Sequence, residues 1–430
     1  MALDKTDEAR EIDNAENVPG LVAHVKKKFT SAEDGKHEDE TRWLKAYKNY
    51  RGIFDSTTQF RSSEKSKVFV KITKVKVLSA YGQIADILFA NSKFPLSVES
   101  TPVPEGVAEF AHLQTPQSPP PTPPTPDPYG FEGDGKILEP GATEATEPNS
   151  FLGGMSGKFA GANLQEGAAK MGEPQISPAQ ETARKMEKLI HDQLLDTSAV
   201  NVLRHSIFEC ALLGTGIIKG PFNYKKTVHQ WKGTGEEKQY TPYDKEVPRI
   251  EAVSCWDFFP DPSATSIDDC EYVIERHRLN REQLRDLSNR PYFDNDAILK
   301  ALDIGPNYEE KHYEQTIHGV NDPTYVDNRY EVYEYWGNCD ASLCKEMGMA
   351  IPQGMTDLKS VQVNVWICGN EVLRAVMNPF TPERIPYQAF PYELNPYQFF
   401  GIGVAENMED AQLLMNGHIR MAIDNLALAG

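Results

Sequence analysis

The sequence lacks any long apolar run, is thin in cysteine and has no surplus of positive charge. No stretch approaches the ~20 apolar residues needed to cross a bilayer, so no membrane partner is expected. The N-terminus, MALDKTDEAREIDNAEN, is polar and acidic, without the cationic start and apolar core of a secretory leader. Six cysteines are scattered through 430 residues (Cys210, Cys255, Cys270, Cys339, Cys344 and Cys368). Without a leader they are expected to stay reduced. Cys339 and Cys344 are the close pair, and no second pair follows at zinc-ribbon distance. Lysine and arginine number 44 against 63 aspartates and glutamates, a net charge of −19. A protein that grips nucleic acid neutralises phosphates. This one should not grip, although an acidic wall can surround a duplex and let it slide.

Catalytic motifs are missing as well. Gly214-x-Gly216 and Gly401-x-Gly403 lack the third glycine of a dinucleotide loop. No Gly-Lys-Ser or Gly-Lys-Thr closes a phosphate cradle, and no Gly-x-Ser-x-Gly elbow is present. The best acidic cluster is Asp257, Asp261, Asp268 and Asp269. A metal-dependent nuclease often sets Pro-Asp before a glutamate–x–lysine on the next strand. Pro260-Asp261 is there, but Glu271-Tyr272-Val273 and Glu275-Arg276-His277 supply no lysine, so turn chemistry is the simpler reading of Asp257 and Asp261. His205, His277 and His418 stand singly. No catalytic residue, cofactor site or metal site is expected, and no enzyme.

Apolar residues make up 40% of the chain, enough for a sizeable core. Residues 1–36 read as a flexible arm. A helix is predicted from about His37, with Trp43, Leu44, Tyr47 and Tyr50 on one face and a stop at Arg51-Gly52. Ser63–Ala90 alternates early (Val68, Val70, Ile72) but has no internal turn signal, which favours a helix with Val68, Ile72 and Val75 on one face and a basic stripe of Lys67, Lys71 and Lys74. Residues 101–176 are different in kind. Twelve of the thirty prolines lie between Pro102 and Pro148, followed by FLGGMSGKFAGANLQEG. The stretch reads as a disordered Pro/Gly-rich insertion. Its segment 115–128 could serve a proline-rich adaptor as a docking ligand.

Order is predicted to resume at Ser177-Pro178-Ala179-Gln180, a capping box with proline at the first helical position. A second helix follows from Val200 to Leu213. IIKGPF, TVHQW, RIEAVSCWDFFP and Cys270–Arg278 read as strands, REQLRDLSN as a short helix, and YEVYEYWGN and VQVNVWICGNEVLRA as strands, the latter folded at Gly369-Asn370. Glu406–Ala429 reads as a helix with Met408, Ala411, Met415, Ile419, Ala422 and Leu426 on one face.

Three stretches resemble the portal proteins of short-tailed bacteriophages: TRWLKAYKNYRG with EKSKVFVKITKVKVLSAYGQIADILFANSKFPLSVE; VSCWDFFPDPSATSIDDCEYVIERHRLNREQLRDL; and FPYELNPYQFFGIGVAENMEDAQLLMNGHIRMAIDNLALAG. The resemblance covers about residues 37–100 and 177–430. It implies an α+β portal-type subunit with long stem and wing helices and a mixed β wing. The parts would be an arm (1–36), a helical wing segment (37–100), the insertion (101–176), an α/β wing region (177–400) and the start of a long helix (401–430) truncated before its stem and clip. It also implies a homo-oligomeric ring, a dodecamer, at one capsid vertex of the virion. The expected partners are the major capsid protein, the large terminase subunit, tail or adaptor proteins, and double-stranded DNA passing without sequence-specific binding. The resemblance names no channel-lining or subunit-interface residue. A nuclease built on Asp257 and Asp261, or a proline-rich adaptor, are the competing readings.

Overall fold

A computed structural model describes residues 20–55, 58–60, 62, 64–89, 94, 96–100, 178–232, 239–318, 328–346, 349 and 359–429. Contact grouping sets residues 97–188 apart from 1–96 with 189–430. The proposed insertion 101–176 and arm residues 1–19 lie outside the described residues. In the smaller unit, the backbone N–H of Val98 donates to Glu187 Oε2 at 3.3 Å.

In chain order the elements are α1 (Gly20–Arg51), α2 (Ile72–Phe89), α3 (Pro178–Asp196), α4 (Ala199–Leu213), β1 (Thr215–Val228), β2 (Trp231–Lys232), β3 (Gln239–Tyr240), β4 (Tyr243–Val253) and β5 (Phe258–Pro260). There follow β6 (Tyr272–Leu279), α5 (Arg281–Asp286), α6 (Asn295–Ile304), α7 (His312–His318), β7 (Tyr330–Asp340), α8 (Ala341–Glu346), β8 (Ser360–Cys368), β9 (Glu371–Met377), β10 (Tyr387–Pro391), α9 (Val404–Asn407) and α10 (Glu409–Ala429). Helices accompany sheets whose named strand pairs are antiparallel, in keeping with an α+β class.

The larger unit is built on an antiparallel five-stranded sheet in the order β5-β6-β7-β8-β9. Side chains alternate between its faces. On one face Tyr272, Ile274, Tyr335, Val361, Val363, Val365 and Ile367 meet Leu21, Val22, Val25, Phe29 and Ala32 of α1. Their spacing of three and four is that of a helix burying one stripe. This corrects the expected arm: residues 20–36 are helical, because an apolar stripe is threaded through a Lys-rich segment in which Lys27 is exposed, Lys26 and Lys28 are half-buried and Lys36 turns inward. On the other face, Val273 and Trp336 pack on a three-stranded sheet, β10-β1-β4, through Ile217, Val253 and Tyr387. Farther along that face, Leu284, Leu287, Ile298 and Leu302 of the α5–α6 region cover Trp366, Cys368 and Leu373. Asn280 caps α5 in a full capping box with Gln283. The Gly369-Asn370 hairpin joins β8 to β9 as predicted, with Gly369 at φ 59°.

Two helical expectations need correction. The segment predicted as a helix over Ser63–Ala90 is helical only over Ile72–Phe89, so Lys67 and Lys71 do not share a helix with Lys74, although all three are exposed. Val68 and Val75 are exposed and the buried positions are Thr73 and Val77. The reason lies in α10. Asp424 accepts from the Ser66 N–H (2.9 Å), Asn416 from the Val70 N–H (2.9 Å) and Gln412 from the Thr73 N–H (3.1 Å) and hydroxyl (2.9 Å). Gln412 Nε2 donates back to the Val70 carbonyl. Residues at spacings of four and eight on one helix face thus satisfy backbone groups of the non-helical segment before Ile72 and of the first turn of α2, and that segment then has no need of helix. For the same reason α10 is inverted. Its polar stripe, Gln412 and Asn416, faces inward, while Ala411, Met415, Ala422 and Leu426 of the expected packing face are exposed.

The two Gly-x-Gly pairs meet each other. Gly214 ends α4 at φ 104°. A Cβ there would lie 2.4 Å from the Gly401 carbonyl oxygen, and one on Gly401 would lie 2.8 Å from that of Gly214. Gly401 N–H donates to Thr215 Oγ1 at 2.9 Å, and Tyr392 N–H to the Gly214 carbonyl at 2.8 Å. These glycines let two backbones touch and cradle no phosphate. Gly214→Ala combines a positive φ with a backbone clash, and should cost ~3 kcal/mol or more of unfolding free energy in urea titration. A cost under ~1 kcal/mol would contradict this packing.

Candidate functional site

The most concentrated polar chemistry lies between the two sheets. Glu275 of β6 and Glu334 of β7 are direct cross-strand partners, so their side chains leave the same sheet face side by side. Like charges so placed repel. Lys219, reaching from β1 of the other sheet, sits between them, with Nζ 2.7 Å from Glu275 Oε2 and bonded also to Glu334 Oε2. Its residue exposure is 5%. Tyr387 of β10 donates to Glu275 Oε2 at 2.6 Å, Trp336 Nε1 to Glu334 Oε1 at 2.7 Å, and Asn364 of β8 to the same oxygen at 3.4 Å. His277 Nε2 meets Glu334 Oε2 at 2.8 Å, and its ring stacks on Trp366 at 4.8 Å.

The electrostatics follow from this geometry. Burial opposes charge on Lys219, but Glu275 and Glu334 outweigh it and hold the ammonium well above the usual lysine range. Burial would raise Glu334; Lys219 and His277 instead hold its carboxyl far below the usual range. Burial lowers and Glu275 and Glu334 raise the His277 imidazole, with the net direction up. Burial, then the neighbouring carboxylates, push the Tyr387 hydroxyl well up. The Glu275, His277 and Glu334 ligand atoms lie within 4.8 Å of one another, a spacing that could suit a cation. The Lys219 ammonium already occupies the position between the carboxylates. His277 stands singly in the sequence, and strand geometry brings Glu275, two residues away, and Glu334, across the ladder, to its ring. His205 and His418 are exposed.

The acidic cluster is engaged otherwise. Asp257 Oδ1 accepts from Arg276 Nε (3.0 Å) and Nη2 (2.9 Å), and its Oδ2 from Arg278 (2.6 Å). Arg278 also donates to Glu314 at 2.9 Å, and Arg276 to the Tyr313 hydroxyl at 2.5 Å. Asp261 Oδ1 accepts from the Ser263 N–H (3.0 Å) and hydroxyl (2.8 Å), and Oδ2 from the Glu271 N–H at 3.4 Å. Asp269 accepts from Ser266 Oγ at 2.8 Å and Thr265 Oγ1 at 3.2 Å. Asp257 is a counter-ion for two arginines and Asp261 closes a turn. Both oxygens of each carboxylate are spoken for, which disfavours metal-activated hydrolysis there.

A third buried group ties α1 to the core. Lys36 Nζ donates to the Trp256 carbonyl at 2.7 Å and lies 3.8 Å from the Phe259 ring centre. Burial lowers its pKa to about 8, with Glu40 opposing. Nearby on α4, Glu209 Oε1 accepts from the Ser254 hydroxyl (2.6 Å) and the Cys255 N–H (3.1 Å). Burial raises its carboxyl to about 7 against those hydrogen bonds. The six cysteines carry no disulfide, and the Cys339 thiol hydrogen-bonds Cys344.

The sequence reading missed Lys219, Glu334, Arg276, Lys36 and Glu209. A signal for the strand residues exists: IIKGPF, YVIERHRL and YEVYEYWGN each place an ion inside a run of branched and aromatic residues, where an unpaired charge would be prohibitive.

Residues 230–430 match the family model described as Phage SU10 portal protein. The portal resemblance is borne out over that stretch, and the match supports a phage portal protein. No curated protein matches the chain. Among the described residues, no helix is long and apolar enough to cross a membrane.

Glu209 makes stability pH-dependent. Its carboxyl rises from 4.5 to about 7 on folding, so between those values the folded protein keeps a proton that the unfolded chain has released. Its contribution therefore falls as pH climbs through that window and levels off above it. Urea titrations of the wild type and Glu209→Gln should show the wild type losing ground to the variant from pH 4.5 to 7. A difference independent of pH would contradict the assignment.

Proposed function

We propose that the protein is a structural portal subunit, a copy in a homo-oligomeric ring at one capsid vertex that forms the channel for packaging and ejecting double-stranded DNA. The observation that carries this reading is the portal family match over residues 230–430. The major capsid protein, the large terminase subunit and tail or adaptor proteins are its partners in this reading, and the ring is a dodecamer located in the virion.

Two features of the chain support it. Its polar chemistry is tied up in ion pairs that join structural layers: Lys219 between two sheets, Arg276 and Arg278 on Asp257, and Lys36 beneath α1. Such a frame suits a load-bearing subunit. The net charge of −19 suits a channel wall that repels phosphates and so lets DNA slide. In this reading residues 37–100 and 177–400 belong to the wing, 101–176 is an insertion, and α10 belongs with the stem. The outward apolar face of α10, with Leu426 73% and Leu428 78% exposed, is one that neighbouring protein would cover.

Electron microscopy of the purified chain, with native mass measured in parallel, tests the proposal. Closed rings of about a dozen copies around a central channel are the expected result. A monodisperse monomer would overturn it.

A further inference from the structure

The strands β1 and β4 continue well past the body of their sheet. β10 pairs with β1 only over Thr215–Lys219, whereas β1 and β4 stay paired from Phe222↔Arg249 to Val228↔Tyr243. Thr241 N–H donates to the Gln230 carbonyl at 2.9 Å, and Trp231 pairs with Tyr240, and Lys232 with Gln239. The result is a two-stranded ribbon, Phe222–Lys232 with Gln239–Arg249, roughly 35 Å long at ~3.3 Å per residue. A two-stranded ribbon alone is marginal in water. This one nonetheless exposes Tyr224 (51%), Trp231 (65%), Tyr240 (44%) and Tyr243 (48%), aromatics of the kind enriched in protein interfaces. It touches Asp196 at the end of α3 through Lys245 (3.0 Å) and Lys226 (3.3 Å to the carbonyl).

We propose that this ribbon is a self-association arm whose exposed aromatics and cations dock on the acidic surface of a second copy of this chain. Charge picks the occupant. From Phe222 to Arg249 the sequence carries six lysines and arginines against four aspartates and glutamates, while the chain as a whole stands at −19. The arm is therefore opposite in sign to the rest of any other copy. Arm and receiving surface are different patches, so the contact is heterologous, the kind that builds a ring when its rotation closes. The same count argues against nucleic acid, since four anions offset most of the cations that phosphate binding requires. The inference rests on the ring proposed above and names one of its contacts.

The test is sedimentation of the full chain over a concentration series, for wild type, Tyr224→Ser/Trp231→Ser and Lys225→Gln. The expected result is association weakened about 30-fold or more in the aromatic variant, a smaller loss in the charge variant, and a wild type that dissociates as salt is raised, with circular dichroism and melting unchanged. If the aromatic variant is misfolded by circular dichroism, Lys225→Gln and the salt series decide. Variants that assemble like wild type would overturn the arm and leave the ring reading standing. A wild type that never assembles would overturn both. Duplex DNA binding lost in the variants, with assembly intact, would overturn self-association in favour of nucleic acid.

Discussion

Two glutamates facing each other across adjacent strands are the constraint on which this fold turns. Glu275 and Glu334 occupy opposed positions of β6 and β7 on a face buried by another sheet. Water cannot solvate them there, and their mutual repulsion would open the ladder. Lys219 removes the conflict by entering from β1 and contacting both. That ammonium also fixes how the three-stranded sheet lies on the five-stranded one, since it must reach a single point. Tyr387 then adds a hydrogen bond to Glu275, and Trp336, Asn364 and His277 add theirs to Glu334. A buried ion pair is weak evidence for stability as such, but removing one partner leaves an uncompensated charge.

The same device recurs on the other side of the sheet. Arg276, on the strand between Glu275 and His277, points to the opposite face and meets Asp257 and Tyr313. Lys36 comes down from α1 onto the Trp256 carbonyl. Successive residues of one strand thus carry ions to both faces, each held by an element of the covering layer. The apolar clusters supply the bulk of the driving force, and the ions set the register in which the layers meet. These contacts join the layers of the fold to one another.

The sequence was most legible where a single period dominated. The β7, β8 and β9 strands, the Gly369-Asn370 turn and the Ala199–Leu213 helix followed from alternation, turn chemistry and helical spacing. It was misleading where long-range partners override local pattern. The segment before Ile72 has helix-compatible spacing, but α10 offers its backbone a ladder of side-chain acceptors that no local window reveals. The apolar positions of α10 suggested its packing face, whereas the inward stripe is the polar one that builds the ladder. Residues 20–36 looked like an arm because three consecutive lysines mask Leu21, Val25 and Phe29. The acidic cluster was read correctly as turn chemistry at Asp261, but the arginine partners of Asp257 could not be foreseen, being set by which face of β6 turns toward the loop. The Lys219 junction draws on five strands from two sheets, and only the misfit of ions in apolar strands hinted at it.

The meeting of the two sheets turns on one ammonium between two opposed carboxylates. The direct measurement is the unfolding free energy of Lys219→Met, alone and combined with Glu275→Gln and Glu334→Gln, compared with the glutamine pair in the wild-type background. The account predicts a loss of about 3–5 kcal/mol for Lys219→Met and recovery of a large part of it when the carboxylates are neutralised as well. A Lys219→Met variant within about 0.5 kcal/mol of wild type, or losses that simply add across the set, would contradict it.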